Sequence, residues 1–155
     1  MSEQPQAIRT RLAWARVDPE ARQAMLRLDQ VGADQIDPTL RGLIWMRASH
    51  LNGCAFCLDL HSADAAERGE TLQRLVVVGA WNEAPHLFTE REQAALALTD
   101  AVTRLGEHGV PDAVWAAAAE QFDEKELVRV LMAIVTINGW NRLAVATHAH
   151  VRPRH

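Results

Sequence analysis

Asn52-Gly53-Cys54-Ala55-Phe56-Cys57-Leu58-Asp59-Leu60-His61 reads as the end of one helix followed at once by the start of another. Asn52-Gly53 closes a helix that begins at Pro38, since glycine takes the left-handed backbone of a helix stop without steric cost. Cys54 then opens a second helix that runs to about Arg68. A thiol at a helix N-terminus faces the positive end of the macrodipole, which favours its thiolate. Cys54 and Cys57 are three residues apart, so they share a face and can close a disulfide within one turn. His61 stands four residues beyond Cys57. At ~100° per residue, all three side chains lie within about 60° of one another. An imidazole so placed can take a proton from Cys57 and leave a thiolate at neutral pH.

Outward from this stretch the punctuation stays helical. Asp18-Pro19 and Asp37-Pro38 each offer an N-cap followed by proline at the first helical position. Thr89 with Glu92, and Asp123 with Glu126, fit the capping-box spacing. Val110-Pro111 marks another start, and Gly32, Gly53, Gly69 and Gly106 mark stops. Between them the apolar residues recur at helical intervals: Leu40, Leu43, Ile44, Met46 and Leu51; Leu96, Leu98, Ala101, Val102 and Leu105; Leu127, Val130, Leu131, Ile134, Val135 and Ile137. Leu75-Val76-Val77-Val78 is the one strand-like run, but it is short and follows Thr71 as an N-cap, so it too reads as helix. The expectation is an all-α fold of about six or seven helices in one compact domain spanning residues 1–155. The ends, residues 1–6 and 151–155, read as frayed arms. The helix from Glu124 to about Thr147 is apolar on more than one face, which points to a homo-oligomer.

Composition narrows the function classes. The 155 residues are 48% hydrophobic and 23% charged, with a net charge of −4. Those proportions exclude a mainly disordered chain, a collagen-like repeat and a disulfide-dense scaffold. An acidic chain whose only lysine is Lys125 carries no global basic field for nucleic acid. No leader is visible in Met1 to Thr10, and runs such as Leu75 to Trp81 fall short of the ~20 residues of a membrane span. The chain is therefore expected in the cytoplasm without membrane contact, where a structural disulfide is uncommon.

The chemistry that wants a cysteine pair beside a base is peroxide reduction. A hydroperoxide is attacked by a thiolate, and the resulting sulfenic acid is captured by a second thiol before further oxidation. Two other readings use the same residues. Both cysteines could be small buried hydrophobes beside a core histidine. Cys54, Cys57, His61 and His50 could hold zinc, but three of these ligands on one helix face cannot easily wrap a tetrahedron. No metal is expected. The absence of a Gly-rich nucleotide motif argues for no cofactor either. Spacing leaves open which cysteine attacks: the helix end favours exposure of Cys54, and nearness to His61 favours ionisation of Cys57.

The longer stretch Arg41-Gly42-Leu43-Ile44-Trp45-Met46-Arg47-Ala48-Ser49-His50-Leu51, continued through Asn52 to His61, resembles the core motif of the carboxymuconolactone decarboxylase superfamily. Within that superfamily it is most similar to the alkylhydroperoxidase D-like branch. Gly69-Glu70-Thr71, Ala80-Trp81, Thr89-Glu90-Arg91-Glu92 and Ile137-Asn138-Gly139-Trp140-Asn141-Arg142-Leu143-Ala144 agree with it, so the likeness runs from about Leu28 to Ala146. The resemblance implies an all-α fold assembled as trimers or hexamers. It also implies thiol-dependent peroxidase or disulfide reductase activity, with Cys54, Cys57 and His61 as the catalytic set.

Two departures stand out. The family pattern puts a glutamate of the proton relay twelve residues before the first cysteine, where this chain has Gly42. His50, four residues before Cys54 and within about 80° of the face of Gly42, is the candidate to rebuild the relay. Phe56 stands where such sites sometimes carry an aromatic hydroxyl; it can wall a pocket but cannot pass a proton. The partners expected are a small hydroperoxide and a dithiol or protein reductant. The rivals are a muconolactone-type decarboxylase, which has no use for a redox pair, and a redox-sensing or catalytically idle oligomeric module. Trp45, on the helix just before the thiols, is the tryptophan expected to line a pocket.

Overall fold

The computed structural model describes residues 8–153, and among them it holds eight α-helices and no strand. They are α1 (Trp14–Val17), α2 (Pro19–Val31), α3 (Pro38–Leu51), α4 (Ala55–Glu67), α5 (Leu72–Val77), α6 (Glu90–Thr103), α7 (Asp112–Gln121) and α8 (Glu124–Thr147). Short 3-10 segments cover Ala33–Gln35, Val78–Glu83 and Pro85–Leu87. The fold is all-α as the spacing predicts. The helix beyond the expected six or seven is α1, a single turn too short to show any periodicity. The arm expected at residues 1–6 lies outside the described residues, as do residues 154–155 of the C-terminal arm.

The helix starts are those the sequence marks. Asp18 accepts from the Ala21 amide, and Asp37 accepts from Thr39 and Leu40, each ahead of a proline. Thr89 with Glu92 and Asp123 with Glu126 form complete capping boxes. Each such cap stabilises its helix by ~1 kcal/mol. Gly53 (φ 63°) and Gly69 (φ 93°) take left-handed backbone just past α3 and α4. Leu75-Val76-Val77 is helical, within α5.

Helix α3 lies at the centre, packed on α4, α6 and α8. One core joins Ile44 and Ala48 of α3 to Leu98 of α6 and to Val130, Ile134 and Ile137 of α8. A second gathers Leu43, Met46, Val78, Phe88 and Leu96 on the other side of α3. By length and composition α8 would be able to cross a membrane. Here that apolar length packs against α2, α3, α4, α6 and α7.

A buried amide network ties the turn before Cys54 to α8. Asn52 Nδ2 donates to the side-chain oxygens of Asn138 and Asn141, both at 2.9 Å. Asn141 Nδ2 donates to Ser49 Oγ at 3.0 Å, and Asn138 Nδ2 to Thr103 Oγ1 at 2.9 Å. Asn141 is fully buried, so its loss strands the Ser49 hydroxyl and weakens the anchor of Asn52. Asn141→Leu is expected to lower stability by about 2–3 kcal/mol. A urea-unfolding midpoint that does not fall would contradict this account of the turn.

Candidate active site

The turn Asn52-Gly53 delivers Cys54 as the N-cap of α4. Its amide donates to the Ser49 carbonyl at 3.0 Å, which closes α3. The Cys57 amide donates to Cys54 Sγ at 3.3 Å, so the sulfur takes the place a serine oxygen usually holds at a helix start. Developing negative charge on Cys54 Sγ therefore meets both an N–H dipole and the helix terminus. Cys57 sits one turn on, and the two cysteines are joined as a disulfide with Cα atoms 5.3 Å apart. Both are almost wholly buried, at 1% and 3% exposure. They form a small cluster with Ala144 of α8.

The two cysteines border different cavities. Cys54 borders an open one of about 340 Å³ with Ile8, Val145, His148 and His150. Cys57 borders a more enclosed one of about 370 Å³ with His61, Trp45, Trp14, Trp140 and Asp29. Phe56 walls both. The second chamber is thus rich in aromatic rings, with Ile137 and Leu60 extending its apolar lining.

His61 is largely buried, and its Nδ1 has no hydrogen-bond partner among the described residues. The ring packs against Trp45 with centroids 4.6 Å apart. Burial pushes its pKa down to about 4; the Arg41 charge adds to this, and Asp64 opposes it. The imidazole is therefore neutral at pH 7, with a lone pair available to a proton donor. The depressed value carries a stability cost in acid. As pH falls below about 6.5, the unfolded chain binds the proton before the folded one does, so stability declines until about pH 4. That loss amounts to about 3 kcal/mol for this group. Urea midpoints of wild type and His61→Gln should therefore converge between pH 7 and pH 4 in the variant's favour; parallel curves would contradict a buried neutral ring.

The expected residues are only partly brought together. Cys54 caps α4, Cys57 lies in its first turn and His61 at its middle; Cys57 and His61 border one chamber, with Trp45 in its wall as expected. His50 is elsewhere. Its ring lies against Gly79 of the Val78–Glu83 segment, where a Cβ built on Gly79 would come within 3.2 Å of it. It borders neither cavity that the cysteines border. Burial and the neighbouring Arg47 push its pKa down. Gly42 faces Ala65 across α4, with room for a Cβ at 3.8 Å. It shares with His61 the wall of a cleft of only about 20 Å³.

Asp29 was missed. It sits on α2, remote in sequence from the cysteines, and reaches the chamber because α2 docks on α8. Trp140 Nε1 donates to Asp29 Oδ2 at 2.8 Å. Burial raises the Asp29 pKa, with Asp34 acting in the same direction, against the Trp140 bond and Arg41. An aspartate near a helix end is an ordinary cap-region residue by sequence, so no local signal marks it.

The chain is similar to known proteins along most of its length. The model of the carboxymuconolactone decarboxylase family matches residues 19–101. The uncharacterized protein YdfG of Bacillus subtilis is 36% identical over 137 residues, covering 88% of this chain and 92% of its own length. A crystal structure from Agrobacterium tumefaciens superposes with a TM-score of 0.89 at 35% identity, over 94% of this chain and all of that one. It is described as a protein of unknown function, with the antioxidant defence protein AhpD as its suggested identity. An uncharacterized peroxidase-related protein from Silicibacter sp. TM1040 superposes with a TM-score of 0.73 at 20% identity, over 84% of this chain and 70% of that chain, a likeness of fold alone.

Proposed function

The chain belongs to the carboxymuconolactone decarboxylase family, in its AhpD-like branch, and on that premise we propose that it is a thiol-dependent hydroperoxide reductase. The observation that carries the reading is the pair Cys54 and Cys57 at the start of α4, with Cys57 and an unpartnered neutral imidazole bordering one aromatic chamber. A decarboxylase has no task for a pair of sulfurs able to cycle between dithiol and disulfide.

In the proposed cycle Cys57 attacks, because it borders the chamber that His61 also borders. His61 draws the thiol proton, and Cys57 Sγ forms a bond to the outer oxygen of R–O–O–H as the O–O bond breaks. The sulfur becomes a sulfenic acid, the peroxide is reduced, and the alkoxide leaves as alcohol once protonated. Cys54 Sγ, whose developing negative charge meets the Cys57 amide and the helix terminus, then loses its proton and displaces hydroxide from that sulfur. The hydroxide takes a proton and leaves as water. The product is the disulfide seen here. A dithiol or protein reductant returns the pair to the reduced state by exchange.

The aromatic lining suits an organic hydroperoxide of small apolar body, since the chamber offers Trp14, Trp45, Trp140 and Phe56 to an alkyl or aryl group. No metal or other cofactor enters the cycle. Assembly as a homo-oligomer is part of the proposal: Val128, Val135 and Val145 stay exposed on a helix whose other faces are core. The experiment is a coupled assay of tert-butyl hydroperoxide with dithiothreitol as donor. The expected result is enzyme-dependent formation of tert-butyl alcohol over many turnovers. Absence of turnover, with the pair shown to be reducible, would overturn the reading.

A further inference from the structure

Three buried side-chain polar atoms lack a hydrogen-bond partner among the described residues: Asp29 Oδ1, Trp45 Nε1 and His61 Nδ1. All three residues stand in the wall of the Cys57 chamber. A buried polar atom left unpaired costs about 1–3 kcal/mol, so a fold rarely gathers three around one cavity without use. The carboxyl among them is held from behind. Trp140 Nε1 fixes Asp29 Oδ2 at 2.8 Å and leaves Oδ1 as the oxygen without a task. At the other side of His61, Gly42 puts no side chain into the cleft the two residues share.

We infer that Asp29 supplies the acid–base carboxyl of the chamber, giving the departing alkoxide the proton that His61 takes from Cys57. The inference rests on the peroxidase reading. Cys57 S–H loses its proton to His61, the sulfur bonds to the outer peroxide oxygen, and the O–O electron pair stays on the inner oxygen. Asp29 protonates that oxygen to give the alcohol, then recovers a proton from His61. Sulfur is oxidised from thiol to sulfenic acid, the peroxide is reduced to alcohol, and no other reactant is needed. Burial suits the carboxyl to the part, because it holds a proton more firmly than an exposed aspartate does. The charges facing it are Asp34, ahead of α3, and Arg41 on α3; His61 faces Arg41 and Asp64.

Asp29→Asn tests this directly, since its amide oxygen still accepts from Trp140 Nε1. In the reduced full-length chain, the single-turnover rate with tert-butyl hydroperoxide should fall by about 100-fold, and one limb of its pH profile should vanish. Reduction of the disulfide by dithiothreitol has no alkoxide to protonate and should stay within about twofold of wild type. Asp29→Glu should recover part of the peroxide rate. An unchanged peroxide rate in Asp29→Asn overturns the inference alone, as does an equal loss in both reactions, which marks a structural role. A wild type that consumes no hydroperoxide overturns the peroxidase reading and this inference together. Should Asp29→Asn not fold, carboxyl NMR of the wild type serves: the Asp29 titration should shift between the disulfide and dithiol forms, and an identical curve in both overturns the inference.

Discussion

Replacing Cys57 by serine is expected to end hydroperoxide turnover, with a loss of about 10³-fold or more. Serine keeps the size of the side chain, but its hydroxyl does not ionise at neutral pH and cannot accept the peroxide oxygen reversibly. Cys54→Ser should behave differently. Its first step survives, because Cys57 and His61 still share the chamber. The sulfenic acid formed there then finds no second thiol, and the reaction halts after one equivalent per chain. Mass spectrometry after dimedone trapping separates the two variants: an adduct on Cys57 in Cys54→Ser, and none of comparable rate on Cys54 in Cys57→Ser. The reverse pattern would assign attack to Cys54 and would make its helix-terminal position, rather than the imidazole, the source of reactivity.

His61→Gln carries the second large effect. Glutamine is polar and of similar reach but takes no proton, so the Cys57 thiol must ionise unaided. The rate of sulfenic acid formation at pH 7 should drop by about 100-fold. It should recover as pH rises towards ~8.5, where a cysteine ionises by itself. The wild type should show no such climb. Burial keeps His61 neutral at pH 7, so the ring receives a proton rather than gives one, and the thiolate formed beside it stabilises the imidazolium that burial alone disfavours. Its Nδ1 has no partner among the described residues while the sulfurs are bonded to each other; reduction restores an S–H donor one helical turn away. A variant that matches wild type at pH 7 would remove His61 from the reaction.

Much of this site is legible in the sequence because it is local. The Asn52-Gly53 stop, the Cys54 cap and the spacing through Cys57 to His61 are set by neighbours along the chain, and helical geometry turns that spacing directly into a shared face. The starts at Asp18-Pro19, Asp37-Pro38, Thr89 and Asp123 are legible for the same reason. His50 shows where such arithmetic stops. An angle on α3 says which residues share a face, but not which neighbour packs there, and the Val78–Glu83 segment draws His50 against Gly79. Asp29 shows the converse. Its place in the chamber depends on α2 docking on α8 and on the Trp140 indole that orients it, and both relations span most of the chain. The resemblance to a family that carries a glutamate at the position of Gly42 directs attention to α3, whereas the carboxyl in the chamber comes from another helix.

A hydroperoxide is expected to oxidise the α4 sulfur pair directly. Fully reduced wild-type protein, freed of small thiols and given one equivalent of tert-butyl hydroperoxide, tests it by free-thiol titration alongside intact mass. The account predicts that both thiols disappear together for each peroxide consumed, with a mass loss of about 2 Da as the disulfide closes. Persistence of both thiols with the peroxide unspent would contradict it.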